Sequence, residues 1–202
     1  MPPKPKFTRE EIIDAAFRIV DAQGVDKLTA RELGKKLGSS SRPIFTVFKD
    51  MDELKREIKN KAYSVLQGYL EEAEHYQPLY KQAVKETIRF AVEHPNLFEL
   101  VFLTENKQMI HFEELAVQYK DIVDRYFNLL KDDYQLNDRQ VRLLVKHSCI
   151  YVYGIGVMCA GHVCTFTDEQ LNDTLGEVFM AMLTYVKSGK MDEKTPRPVR
   201  VD

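Results

Sequence analysis

Apolar residues recur every three or four positions along most of the chain, and capping residues mark where these segments begin. Thr8 and Glu11 have the spacing of a capping box, and Gly24 stands where the first pattern stops. The apolar stripe between them comprises Ile13, Ala16, Phe17 and Val20. The pattern therefore predicts an amphipathic helix between Thr8 and Gly24.

The same helical spacing continues along the chain, with breaks at glycine and proline. Thr29 and Glu32 form a second box before a short helix that ends at Gly38, and Asp50 caps a longer helix. The stripe of that longer helix runs from residue 54 to about residue 75, and further helical patterns cover residues 78–94, 106–131 and 138–163. Thr167 and Gln170 form a box before the last pattern, residues 168–186. No stretch alternates as a strand does, so the predicted fold is all-α, with about nine helices.

A helix, a loop, a short helix and a tight glycine turn follow one another before residue 50, as in a helix-turn-helix domain. We therefore predict a three-helix DNA-binding head over residues 1–50 and a helical body over residues 51–202. Residues 1–61 carry 14 Lys and Arg against 10 Asp and Glu, whereas residues 62–202 carry 15 against 21. A net charge of +4 followed by −6 fits a protein that meets an anion with one end.

The stretch "GSSSRPIFTVFKDMDEL" begins at Gly38 and holds the predicted recognition helix, residues 40–47. Its inward positions are apolar (Ile44, Val47 and Phe48), and its outward positions are Ser41, Arg42, Pro43 and Thr46. Proline is tolerated in the first turn of a helix, where its missing N–H has no internal partner. Whether Ser40 or Ser41 caps this helix stays open, and Arg42 could equally be an ordinary solvated arginine.

Residues 8–54 resemble the DNA-binding domain of the TetR family of bacterial transcription regulators. The resemblance lies in "IIDAAFRIVDAQG" for the first helix, "LTARELGKKLG" for the second helix and turn, and "SSSRPIFTVFKDMDEL" for the third helix and exit. It covers about a quarter of the chain. The body matches the family only in plan, as a variable helical domain that binds an inducer and dimerises.

The resemblance implies DNA-binding roles at matching positions. Thr29 matches a residue whose hydroxyl and amide hold a phosphate, and Lys49 lies beside a phosphate-contacting end. Ser40, Ser41, Arg42 and Pro43 match positions that contact bases and nearby backbone, with Thr46 on the same outward face. Phe45 stands where the family has a phosphate-contacting tyrosine, and Met51 stands where a lysine is common. Lys4 and Lys6 lie on an arm that could touch DNA or remain a solvated tail.

The body is predicted to bind a largely apolar small-molecule inducer and to form a homodimer through its last two helices. The pocket candidates are Phe90, Phe102, Phe112, Tyr126, His147 and Tyr151, although aromatic side chains of this kind can simply fill a core. The interface candidates are Tyr153, Gly156, Ala160, Phe179 and Leu183. Their small and apolar side chains would let two helices approach closely.

Other chemistries find little support in the sequence. The three cysteines have no zinc-site spacing, and no nucleophile, phosphate-loop or metalloprotease motif occurs, so we expect neither an enzyme nor a cofactor. The apolar stretch 149–163 is short for a membrane span, and the polar start is unlike a signal peptide. The sequence thus predicts a cytoplasmic, ligand-responsive homodimeric repressor of a pseudo-palindromic double-stranded DNA operator. The alternative is a helical protein-interaction module that has lost specific DNA recognition.

Overall fold

The computed structural model describes residues 6–103 and 120–190, and these contain no strand. The α-helices of the described residues are α1 (Arg9–Gln23), α2 (Ala30–Lys36), α3 (Met51–Glu72), α4 (Leu79–Glu93), α5 (Pro95–Phe98), α6 (Lys120–Tyr134), α7 (Asp138–Ala160) and α8 (Asp168–Lys187). Short 3₁₀ helices lie at Val25–Lys27, Ile44–Thr46 and Ala73–His75, and a π-helical turn lies at Glu99–Leu103. The prediction of an all-α fold is confirmed.

Side-chain caps begin the helices where the sequence places them. Thr8 and Thr167 each form both hydrogen bonds of a capping box, and the Asp50 carboxylate accepts from the Glu53 N–H at 2.7 Å. Asn137 exchanges the corresponding pair of hydrogen bonds with Gln140, which settles the start of α7. Each cap gives an otherwise unpaired N–H a partner, typically contributing about 1 kcal/mol.

The chain divides into two compact units. The first comprises Met1–Met109 with Gly154–Thr165, and the second comprises Ile110–Tyr153 with Phe166–Asp202. Buried side chains of the first unit include Ile12, Leu33, Phe48, Leu54, Phe90 and Phe98. Those of the second include Tyr126, Leu130, Val141, Leu144, Leu175 and Leu183. The functional boundary at residue 50 lies at the N-cap of α3 and remains a prediction.

Ion pairs and ring contacts connect α1 to α3 within the first unit. Arg9 Nη2 donates to Glu53 at 2.9 Å and to Glu57 at 2.8 Å, while its guanidinium lies 4.3 Å from the Phe48 ring centroid. These hydrogen bonds, first that to Glu57 and then that to Glu53, raise the pKa of Arg9. The Phe48 ring is itself almost fully buried, so the guanidinium packs along the edge of the head's core.

The C-terminal end of α1 is attached to the start of α5. Asp21 Oδ1 lies 2.9 Å from His94 Nδ1, and the Asp21 carbonyl accepts from the Asn96 amide at 2.8 Å. A Cβ at Gly24 would lie 3.2 Å from Asn96 Oδ1, and Gly24 has φ +86°. A shift of the α4–α5 junction would therefore act directly on the end of α1.

Helix α7 contains the apolar stretch noted in the sequence. By length and composition alone it could cross a membrane, although 44% of its most apolar window is buried inside the chain. Its buried residues include Val141, Leu144, Val145, Val152, Ile155 and Cys159. A core helix of a water-soluble protein has the same properties, so this composition has an explanation within the fold.

Gly156 of α7 packs against an aromatic ring of its own chain. A Cβ at this position would lie 2.5 Å from Phe98 Cζ, and Phe98 is 1% exposed. The position of the Phe98 ring therefore requires glycine at residue 156. It does not by itself indicate a close approach of a second chain, and an interface role for Gly156 remains a prediction.

We expect Gly156→Ala to lower the free energy of unfolding by about 1–3 kcal/mol, because the added methyl group overpacks a filled core. Gly154→Ala is the matched control, since a Cβ at Gly154 meets nothing within 4 Å on the same helix. The control should raise stability by up to about 1 kcal/mol through helix propensity. Urea unfolding of both variants gives the comparison, and equal shifts would contradict the close Phe98 contact.

Candidate nucleic-acid interface

The turn after α2 determines where the recognition segment, residues 39–49, begins. Gly38 adopts φ +63°, a conformation that glycine accepts without strain. The Gly38 N–H donates to the Lys35 carbonyl at 3.1 Å, and the Ser39 N–H donates to the Gly34 carbonyl at 2.9 Å. These two bonds close the helix with a Schellman motif and send the chain back across α2.

Gly34 lets the returning chain pass very close to α2. A Cβ on Gly34 would lie 2.8 Å from the Ser40 carbonyl carbon and 3.0 Å from the Ser41 nitrogen. Both neighbours are backbone atoms, so no side-chain rotation could relieve the contact. The sequence analysis did not single out Gly34, although a glycine inside a short helix is a known indication of close packing.

The predicted recognition helix is shorter than the sequence analysis expects. Residues 40–47 were predicted to be helical, but the structure has a 3₁₀ helix over Ile44–Thr46, preceded by a turn. The Ile44 N–H donates to the Ser41 backbone carbonyl at 3.1 Å, and neither serine hydroxyl caps the helix. Pro43 has no N–H and disfavours α geometry in the residue before it, which explains the later start.

The recognition segment has a buried side and an exposed side. Ile44 and Phe48 are 0% and 1% exposed, as predicted for the inner face, and Val47 is half-buried. The side chains that remain accessible on this segment are Ser40, Arg42, Phe45, Thr46 and Lys49, with Ser41 and Pro43 half-buried. The segment therefore presents most of the predicted DNA-binding residues to solvent.

Cationic side chains of α2 border an open groove beside the serines. The groove has a volume of about 690 Å³ and is lined by Arg31, Lys35, Gly38, Ser39, Ser40 and Ser41. Lys6 reaches the same place, where its Nζ donates to Ser39 Oγ at 3.0 Å. Arg31 and Lys35 are exposed and lie four residues apart, hence on one face of the helix. The sequence analysis missed both, although this spacing beside the recognition segment could have identified them.

Thr29 and Lys49, which the resemblance assigns to phosphate contacts, each form hydrogen bonds within the chain. The Thr29 hydroxyl oxygen accepts from the Glu32 N–H at 3.1 Å, but the Thr29 amide donates to the Lys27 carbonyl instead of completing a capping box. An incoming phosphate could thus receive the Thr29 hydroxyl hydrogen, whereas the amide is already paired. The Lys49 amide donates to Glu53 at 2.7 Å, which lowers the pKa of that carboxyl group and leaves the lysine side chain exposed.

The predicted pocket residues are distributed over both units. Phe90 is fully buried against Tyr69, and Phe102 lies 4.9 Å from Phe98 between ring centroids. In the second unit Tyr126 is buried, while His147 and Tyr151 are half-buried. Phe112 lies outside the described residues. These placements fit core packing as well as ligand binding, so the pocket remains a prediction.

The predicted interface residues are mostly covered by their own chain. Gly156, Ala160 and Leu183 are buried, while Tyr153 is half-buried. Phe179 is also half-buried, with its ring centroid 5.2 Å from that of Tyr134. The exposed large apolar residues on the last two helices are instead Ile150, Val157, Met158, Met180 and Tyr185. An interchain contact on these helices would involve that second set.

The all-helical fold of the chain is similar to that of a solved structure. It is similar to the crystal structure of BioQ, a TetR-family regulator, with a TM-score of 0.54 over 90% of this chain and 98% of that chain. The sequence identity is 14%, so the likeness shows a TetR-like all-helical fold. No protein-family model and no curated protein matches the chain.

We expect Gly34→Ala to move the Ser40–Ser41 peptide and to destabilise the head by about 1–3 kcal/mol. The control is Gly68→Ala, at an exposed helical position where a Cβ meets nothing within 4 Å. Urea unfolding measures stability, and the amide resonances of Ser40 and Ser41 report the displacement. Unchanged resonances with unchanged stability would show that the close contact is absent.

Proposed function

We propose that this protein is a cytoplasmic, ligand-responsive homodimeric transcriptional repressor that binds a pseudo-palindromic operator. The recognition segment is the observation that supports DNA binding most directly. Its buried Ile44 and Phe48 fix its orientation on the head, while Arg42 and Lys49 extend into solvent beside it. A protruding segment anchored in this way can enter the major groove.

Electrostatics support contact with a polyanion at the same surface. Arg31 and Lys35 flank the groove next to the recognition segment, and neither forms an ion pair with any described residue. By contrast, Arg9 and Lys61 on the α1–α3 side are paired with carboxylates. The groove therefore offers unpaired cations to phosphate, and there they would position the head on DNA.

A second copy of the chain would supply the second recognition segment. One short segment contacts few bases, and two heads separated by about 34–36 Å would meet successive major grooves. Met180 is 57% exposed on α8 and Val157 is 41% exposed on α7. Large apolar side chains exposed at these positions favour covering by another chain.

Ligand control would act by changing the separation of the two heads. A ligand can do this only if it binds one conformation more tightly than the other. The contacts of Asp21 with His94 and Asn96 connect α1 to the α4–α5 junction, and Arg9 connects α1 to α3. Movement of α4 or α3 would thereby be passed to the head as a rigid displacement.

We expect Arg42→Ala to weaken specific DNA binding by about tenfold or more, because a base contact by arginine contributes about 1–3 kcal/mol. Lys187→Ala is the control, since it removes one exposed positive charge from α8. Duplexes selected from a randomised library by the wild-type protein serve as probes in gel-shift titrations. Equal loss in both variants would exclude a base-contacting role for Arg42. Failure to select any sequence would instead favour a protein-interaction module, for which the exposed Phe45 is the supporting feature.

We expect Met180→Glu to raise the dimer dissociation constant at least about a hundredfold, because two carboxylates would be buried without partners. Val92→Glu is the matched control, since Val92 is 56% exposed on α4. Sedimentation velocity over a concentration series distinguishes monomer from dimer. A Met180→Glu protein that remains fully dimeric would place the interface away from this face of α8.

A further inference from the structure

The outward tip of the recognition segment is apolar. Phe45 is 47% exposed, although its neighbour Ile44 is completely buried. In a 3₁₀ helix each residue turns by a third of a circle, so Phe45 and Thr46 both point away from Ile44 while Val47 returns towards it. Two adjacent outward side chains therefore form the tip.

The hydroxyl hydrogen of Thr46 already forms a hydrogen bond within the chain, so the methyl group is the part of this side chain that remains for a partner. Its Oγ1 donates to the Pro43 carbonyl at 2.6 Å, one turn back in the same helix. This bond fixes the side chain and leaves no hydroxyl hydrogen for a base acceptor. Thr46 thus adds an exposed methyl group next to Phe45 in the segment, and the half-buried Pro43 adds further apolar surface.

Positive charges flank this apolar tip. Arg42 and Lys49 are exposed on either side of it along the segment, and Arg31 and Lys35 lie at the adjoining groove. Cations around an apolar centre are complementary to a major groove in which phosphates surround an apolar group. Among the groups that base pairs present there, the thymine 5-methyl group is the apolar one.

We propose that Phe45 and Thr46 form a thymine-methyl contact that contributes to operator specificity. The inference rests on the proposed DNA-binding function and assigns a base feature to it. Phe45 packs its ring against the 5-methyl group of a thymine, and the Thr46 methyl closes the other side. Removing a buried methyl group costs about 0.8 kcal/mol, or about fourfold in affinity, and about fifteenfold when both half-sites are affected.

The test removes the methyl groups from DNA while keeping its base pairing. Duplexes selected by the full-length wild-type protein from a randomised library are copied with either dTTP or dUTP. The wild-type protein should bind the uracil duplexes about four- to fifteenfold more weakly. Replacing single thymines by uracil then locates the responsible position, which should be the same in both half-sites.

Protein variants connect the methyl effect to the proposed contact. Phe45→Ala should bind thymine duplexes more weakly and should lose most of the preference over uracil. Thr46→Ser, which keeps the hydroxyl and removes the methyl, should reduce the preference in part. Arg42→Ala should lower affinity but retain the thymine-to-uracil ratio, which separates this contact from general loss of binding.

The outcomes distinguish this inference from the proposed function. Selection of specific duplexes with equal affinity for thymine and uracil forms would overturn the methyl contact and leave DNA binding intact. A preference that persists unchanged in Phe45→Ala would also overturn it. Failure to select any DNA sequence would overturn both. Because Phe45 and Thr46 are exposed, circular dichroism and thermal unfolding should show folded variants throughout.

Discussion

The close approach of the Ser40–Ser41 peptide to Gly34 is the constraint on which the geometry of the head depends. With a Cβ only 2.8 Å from a backbone carbon, no residue larger than glycine fits here without moving the chain. The contact, together with the Schellman turn at Gly38, directs the chain so that Ile44 reaches the core. Once Ile44 and Phe48 are buried, Phe45 and Thr46 between them face solvent. The orientation of the candidate interface thus depends on the absence of a Cβ at Gly34 and on the turn at Gly38.

A second set of contacts converts the head and the adjoining helices into one connected structure. Arg9 binds two carboxylates of α3 and lies over Phe48, and Asp21 binds His94 and Asn96 at the start of α5. The first connection is only part-buried and would contribute modestly to stability alone. Together the two connections fix the direction of α1, because α1 is attached to α3 near one end and to α5 near the other. A small shift of α3 or α5 would therefore act on α1 directly.

Much of the fold could be predicted from the sequence because capping and periodicity are local properties. Thr8, Asp50 and Thr167 each act as the predicted cap, and the helices follow from spacing of apolar residues. The recognition segment was predicted less well, since its 3₁₀ form depends on the restriction imposed by Pro43 and on packing against Gly34. Arg31 and Lys35 were missed because their importance comes from proximity to the serines across the turn. Gly156 was assigned to a chain interface because sequence alone cannot show that Phe98 occupies the space beside it.

The apolar tip bears on how a head of modest charge could bind selectively. Phosphate contacts supply affinity for any DNA sequence and weaken as salt rises, in proportion to the number of charges neutralised. In the proposed DNA contact, Phe45 supplies an apolar contact that salt does not screen, where the resemblance to the TetR family implies a polar one from tyrosine. Non-specific affinity would therefore fall, while a contact to a methyl group would keep its full effect at the matching site. The ratio of specific to non-specific binding, which determines occupancy in a genome, can in this way be preserved by a head of modest net charge.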